Sequence, residues 1–117
     1  MGESKALETI EEAKLLKFKL ENIYRLMLSN AKNRRPVHPL VYIKYIQDTI
    51  DMFNIIELSV IINQLKELIK RLRSHIEYNA HNMESMYCIE LSQIINQIDQ
   101  VIKLLEQDSK KINLLIY

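Results

Sequence analysis

One glycine, Gly2, and two prolines, Pro36 and Pro39, are all the conformational punctuation this chain of 117 residues contains. Hairpins need residues that accept positive φ at close intervals, so a sheet has almost nothing here to turn on. What is left is helix, joined by a few short loops. The apolar spacing agrees. Ile43, Ile46, Ile50 and Phe53 are separated by 3, 4 and 3 positions, and Leu58, Ile61, Leu65, Leu68, Leu72 and Ile76 by 3, 4, 3, 4 and 4. Both recurrences mark one face of an α-helix.

Between these two runs the phase slips by one residue. Asn54 stands at the slip with Glu57 three positions later, the pattern of a capping box that restarts a helix. A break or tight kink is expected there, with one continuous long helix carrying a stutter as the alternative. A first helix is expected from just after Ser4 to about Asn33, burying Leu7, Ile10, Ala13, Leu16, Leu20, Ile23 and Met27 and stopping ahead of Pro36 and Pro39. The second is expected over Pro39–Phe53, the third from Ile55 to about Tyr78, and the fourth from about Met83, capped by Asn82, through Leu105 and on toward the end of the chain. The expected fold is all-α, an up-and-down bundle of three to four antiparallel helices forming a single domain over residues 1–117. With 48% of residues hydrophobic and 26% charged, a chain of this length buries about two-thirds of its unfolded surface and needs neither disulfide nor metal to hold a core.

Glu57–Ile69 aligns without gaps to Glu90–Ile102, at an offset of 33 positions. A common apolar period accounts for the matching Ile and Leu. It does not account for Ser59 against Ser92 or Asn63-Gln64 against Asn96-Gln97. No third copy is visible, so a stacked repeat array, which needs about three units, is not expected. Two similar bundle helices, by duplication or by chance, remain.

Chemistry-bearing patterns are sparse. After Gly2 no glycine is available to bring backbone close to a phosphate. None of His38, His75 and His81 lies three or four residues from another, and Cys88 is the one thiol. Cys88 follows His81 by seven residues, about 10 Å along a helix at about 1.5 Å per residue, too far for a thiolate and base pair. All-helical ribonucleases that pair an arginine with a histidine across four to six intervening residues are not matched, because Arg34 to His38 and Arg71 to His75 leave three and Arg73 to His81 leaves seven. Glu11, Glu12 and Glu21 lack the Glu-to-His spacing of di-iron bundles. The expectation is no catalytic residue, no metal ligand and no cofactor. A lone cysteine, no secretory leader pattern and no apolar run near the 18 or so residues that span a bilayer point to a cytoplasmic, reducing setting away from membranes.

Sixteen basic and fifteen acidic side chains leave a net charge of +1, so any attraction for nucleic acid has to be local. An up-and-down topology gathers Lys32, Arg34, Arg35, His38, Lys70, Arg71, Arg73, His75 and His81 at one pole. Such a cluster can neutralise several phosphates, and Tyr42, Tyr45 and Tyr78 offer faces on which unpaired bases stack. Cations near helix C-termini are also favoured by the macrodipole alone, which is the plainer reading. The fourth helix carries Gln93, Asn96, Gln97, Gln100 and Gln107, a face rich in amides and poor in charge, and the apolar terminus includes Leu115 and Tyr117. The leading expectation is a non-catalytic binding module of a nucleic-acid-handling assembly that touches DNA, RNA or their machinery through the basic pole. The alternative is a protein-interaction adaptor or homo-oligomeric scaffold that uses the fourth helix and the C-terminal segment.

Overall fold

The computed structural model of the chain describes residues 2–33, 37–53, 56–78 and 83–116, with side chains placed at 7–33, 37–53, 56–74 and 87–107. Four helices, α1 (Gly2–Lys32), α2 (Pro39–Asp51), α3 (Ser59–Tyr78) and α4 (Met83–Ile116), and a 3-10 turn at Ile56–Leu58 make up nearly all of the described residues, among which there is no strand. Each helix packs against its neighbours in sequence, and α4 closes back on α1 in the most extensive contact of the molecule. The order is up-down-up-down. Lys17 and Lys14 of α1 meet Asp99 and Glu106 of α4, which fixes that pair as antiparallel.

The core follows the apolar spacing. Ile10, Ala13, Leu16, Leu20, Ile23 and Met27 of α1 are buried against Ile43, Ile46 and Ile50 of α2, Ile61, Leu65, Leu68 and Leu72 of α3, and Leu91, Ile94, Ile98 and Ile102 of α4. Burial of each such side chain contributes about 1.5–3 kcal/mol, which lets tertiary packing rather than helix propensity hold these elements. Leu7 departs from the expectation at 55% exposed. It sits where only α4 lies beside α1, so the solvent-facing arc of the helix is wider there and takes in a position that would be interior to a four-helix layer.

α2 ends at Asp51, ahead of the expected Phe53. The Thr49 hydroxyl donates to the Tyr45 carbonyl at 2.8 Å, and the N–H groups of Met52 and Phe53 donate to the Thr49 and Ile50 carbonyls at 3.2 and 3.1 Å. These short-period bonds tighten the last turn and end α2 at Asp51, while Phe53 remains buried. Asn54 lies outside the described residues. The chain re-enters helix through the 3-10 turn, with α3 beginning at Ser59 rather than Ile55. At the other end of α2, Pro39 occupies the first helical turn, where its missing N–H costs nothing, and the Leu40 N–H donates to Nδ1 of His38 at 3.2 Å.

Helix lengths are unequal, at 31 and 34 residues for α1 and α4 against 13 and 20 for α2 and α3. Carrying the Asn30–Tyr42 and Arg71–Glu90 pairings along the antiparallel helices sets the end of α2 level with Glu21 and the start of α3 level with Ile102. Past the 3-10 turn the N-terminal turns of α1 around Leu7 and the C-terminal turns of α4 continue as a two-helix arm. The molecule is accordingly elongated, 59 × 23 × 16 Å.

Candidate functional site

The topology brings the expected basic pole together from the end of α1, the start of α2 and the last turns of α3. Its described members are neutralised to different degrees. Arg71 Nη1 lies 3.0 Å from Glu90 Oε1 across the α3–α4 interface, and Lys70 Nζ lies 3.2 Å from Glu67 Oε1 one turn earlier on its own helix. His38 spends Nδ1 as the acceptor for the Leu40 N–H at the α2 cap. Lys32 and Arg73 are exposed and meet no carboxylate among the described residues. Arg34, Arg35 and His81 lie outside the described residues. His75 is on the α3 backbone, but its side chain lies outside them too.

The tyrosines part company in the fold. Tyr42 is fully buried, and the Asn30 side-chain N–H donates to its hydroxyl at 2.9 Å, so its ring cannot serve as a stacking face. Its register on α2 turns it inward with Ile43 and Ile46. Tyr45 is exposed. The Tyr78 side chain lies outside the described residues.

A second surface lies on α4. Gln93, Asn96, Gln97 and Gln100 are all exposed and none makes a side-chain hydrogen bond among the described residues. At about 100° per residue they fall on one face of the helix, with Ile89 at one end, 62% exposed, and Leu104 at the other, 61% exposed. Beside this face runs a groove of about 440 Å³ between α3 and α4, lined by Val60, Asn63, Gln64, Glu67 and Arg71 on one wall and Glu90, Gln93, Ile94 and Gln97 on the other. Gln64 Oε1 and Glu90 Oε2 are shielded from solvent with no hydrogen-bond partner among the described residues, an uncommon state for buried acceptors. Burial and the nearby Glu90 carboxylate push the Tyr87 hydroxyl up in pKa, against the opposing pull of Arg71. The α4 backbone extends through Leu115, whose side chain lies outside the described residues, as does Tyr117.

The repeat between Glu57–Ile69 and Glu90–Ile102 has a spatial counterpart. Leu58, Ile61, Leu65 and Ile69 are buried, and so are their equivalents Leu91, Ile94, Ile98 and Ile102. Val60 and Gln64 line the groove from α3, and their equivalents Gln93 and Gln97 line it from α4. In an antiparallel pair with this register, Gln64 and Gln97 fall directly opposite one another, so the two halves of the groove are related by a local pseudo-two-fold axis. The amides of the face are legible in the sequence, but Ile89, Leu104 and Val60 are not. Each breaks the apolar phase of its helix, which is the one signal that marks an apolar residue as outward.

The flank where α1 meets α4 is charged and internally paired. Lys17 Nζ is 2.9 Å from Asp99 Oδ1, Lys103 Nζ is 3.0 Å from Asp99 Oδ2, and Glu21 joins Lys17 to Arg25. The hydrogen bonds from Lys17 and Lys103 hold the Asp99 carboxyl below its ordinary range, and the bond to Asp99 raises the Lys17 ammonium. Among the described residues no three His, Cys, Asp or Glu side chains gather as metal ligands, and no helix is long and apolar enough to cross a membrane. Cys88 is buried. No protein family matches the chain, and neither a curated protein nor a solved structure does.

Proposed function

We propose that the chain is a non-catalytic helical-bundle binding module that docks a protein partner on the outer face of α4 and the adjoining α3–α4 groove. The observation that carries this reading is the exposed run Gln93, Asn96, Gln97 and Gln100, whose side-chain amides bond to nothing among the described residues. An ordinary solvent face is rich in Lys and Glu, as the outer face of α3 is with Lys66, Glu67 and Lys70. Covering an amide costs much less than covering an ion, and each amide returns hydrogen bonds to whatever covers it. The exposed Ile89, Val60 and Leu104 around it supply apolar area, in the arrangement of an interface centre depleted of charge.

The experiment is affinity capture of the tagged chain from cells expressing it, set against Gln93→Glu/Gln100→Glu. Partners lost from the variant alone support the reading. Identical sets from both chains overturn it.

A second reading, contact with DNA or RNA through the basic pole, is favoured by exposed Lys32 and Arg73, which have no carboxylate partner among the described residues. It ranks below the first because Arg71 and Lys70 are already engaged by Glu90 and Glu67. Titration of single-stranded and duplex oligonucleotides at about 50 and 200 mM salt tests it, since each phosphate contact steepens the salt dependence. Binding that weakens with salt and falls further in Lys32→Ala/Arg73→Ala supports it, and no binding at the lower salt overturns it.

A further inference from the structure

We infer that the partner covering the outer face of α4 is a second copy of this chain, lying antiparallel across a two-fold axis between Asn96 and Gln97. The inference rests on the docking reading above and names its occupant.

A closed dimer uses the same patch on both copies, so the patch must complement itself after a half-turn. The α4 stripe does. An axis between Asn96 and Gln97 gathers those two amides of both copies around itself, sets Gln93 against the partner's Gln100, and brings Ile89 level with the partner's Leu104. Every amide meets an amide, and the two exposed apolar residues meet each other at both ends. Amides are unusual in being self-complementary, since each carries both a donor and an acceptor and can pair with its own kind. No charged side chain falls among these six positions, so the half-turn opposes no like charges.

Glu90 and Lys103 flank the stripe on opposite sides, each already held within its own chain by Arg71 and Asp99 at 3.0 Å. Antiparallel order also places the two helix macrodipoles head to tail. Register is specified as well. A slip of one helical turn breaks both Ile–Leu contacts and sets Ile89 on the partner's Gln100 in one direction or Leu104 on the partner's Gln93 in the other, the kind of penalty by which polar seam residues fix one alignment. The stripe runs from Ile89 to Leu104, about 22 Å of helix at about 1.5 Å per residue. So short a contact belongs at the small end of specific interfaces, and the pair is expected to dissociate at about 1–100 µM.

Sedimentation equilibrium of the full chain from about 1 µM to about 1 mM covers that range. The expected mass rises from 13.9 kDa toward twice that value. Asn96→Glu/Gln97→Glu gathers four carboxylates at the axis and is expected to weaken dimerisation at least about tenfold with helicity unchanged by circular dichroism. An equimolar mixture of Asn96→Glu/Gln97→Glu with Asn96→Lys/Gln97→Lys chains sets opposite charges around the same axis and is expected to restore the dimer, which separates an axis effect from damage to the fold. Mixed Gln93→Cys and Gln100→Cys chains are expected to form an interchain disulfide that neither forms alone, with the native Cys88 buried. Cross-linking of either variant with itself, or a dimer unmoved by Asn96→Glu/Gln97→Glu, overturns the arrangement. A monomer at every concentration overturns self-pairing. If that monomer still loses captured partners in Gln93→Glu/Gln100→Glu, self-pairing fails alone; if it loses none, the docking reading fails with it.

Discussion

Tyr42→Phe removes one oxygen from the place where the end of α1 meets the start of α2, and the environment sets the cost. Asn30 donates to that oxygen at 2.9 Å, and both residues are buried, Tyr42 fully. A neutral hydrogen bond contributes about 0.5–1.5 kcal/mol net, but a buried donor stripped of its acceptor loses its solvation uncompensated, at about 1–3 kcal/mol. The ring itself still fills its site, so no cavity term is added. The expected loss is therefore about 1–2 kcal/mol, or about 4–8 °C in Tm for a domain of this size. Urea unfolding followed by far-UV circular dichroism measures it, with the slope against denaturant unchanged. Asn30→Leu in the Tyr42→Phe background removes the stranded donor, and the double variant is expected to be more stable than the sum of the two single losses by about 1 kcal/mol. Additive losses, or a Tyr42→Phe chain as stable as the parent, would refute the claim that this bond ties α1 to α2.

Three further outcomes are expected. The Asp99 carboxyl is held below its ordinary value, so the stability it contributes is full above the unfolded value of about 3.9 and is lost as pH falls through the lower folded value. The Lys17 ammonium is raised, so its contribution is full below the unfolded value of about 10.4 and is lost as pH climbs through the higher folded one. Thermal melts of Asp99→Asn should thus fall below those of the parent at neutral pH and converge with them in acid, and a gap of constant size would contradict the assignment. Leu68→Ala, at a fully buried site, should cost about 2–5 kcal/mol in urea unfolding, while exposed Gln100→Ala stays within about 0.5 kcal/mol. Arg71→Met leaves Glu90, whose Oε2 already lacks a partner, without its ion pair, and should cost about 1 kcal/mol that Arg71→Met/Glu90→Gln recovers; equal stability of both variants would show the pair to be decorative.

The helices and most of the core could be read from spacing alone. Ile43, Ile46, Ile50 and Phe53, and Leu58 through Leu72, are all buried as their recurrence requires. Three things could not be read, each for the same reason. The exposure of Leu7, the pairing of Arg71 with Glu90 and the bond from Lys17 to Asp99 all depend on how far one helix slides past another. The period of a helix says which residues share a face, but nothing about the height at which that face meets its neighbour. The basic pole shows this most directly, since its members can be counted in the sequence while the carboxylates that engage Arg71 and Lys70 become apparent only from the register and rotamers. On α4 the amides are plain in the sequence. Their lack of a partner among the described residues, and the outward Ile89 and Leu104 that bracket them, needed the assembled bundle.

The unequal helices have a consequence for how the molecule opens. Within the four-helix segment a residue of α1 is locked by two neighbours, so exposing its backbone there means disrupting the whole core. Along the arm the same helix has α4 alone, and the work of separating the two grows only with the number of turns released. Amide hydrogen exchange under native conditions should therefore be graded, with Leu7 and its neighbours trading protons through partial openings that leave Met27 and Leu68 protected to the limit of global unfolding. A chain built this way loosens from one end inward, and anything that grips the arm would slow that first step while leaving the rest of the fold as it was.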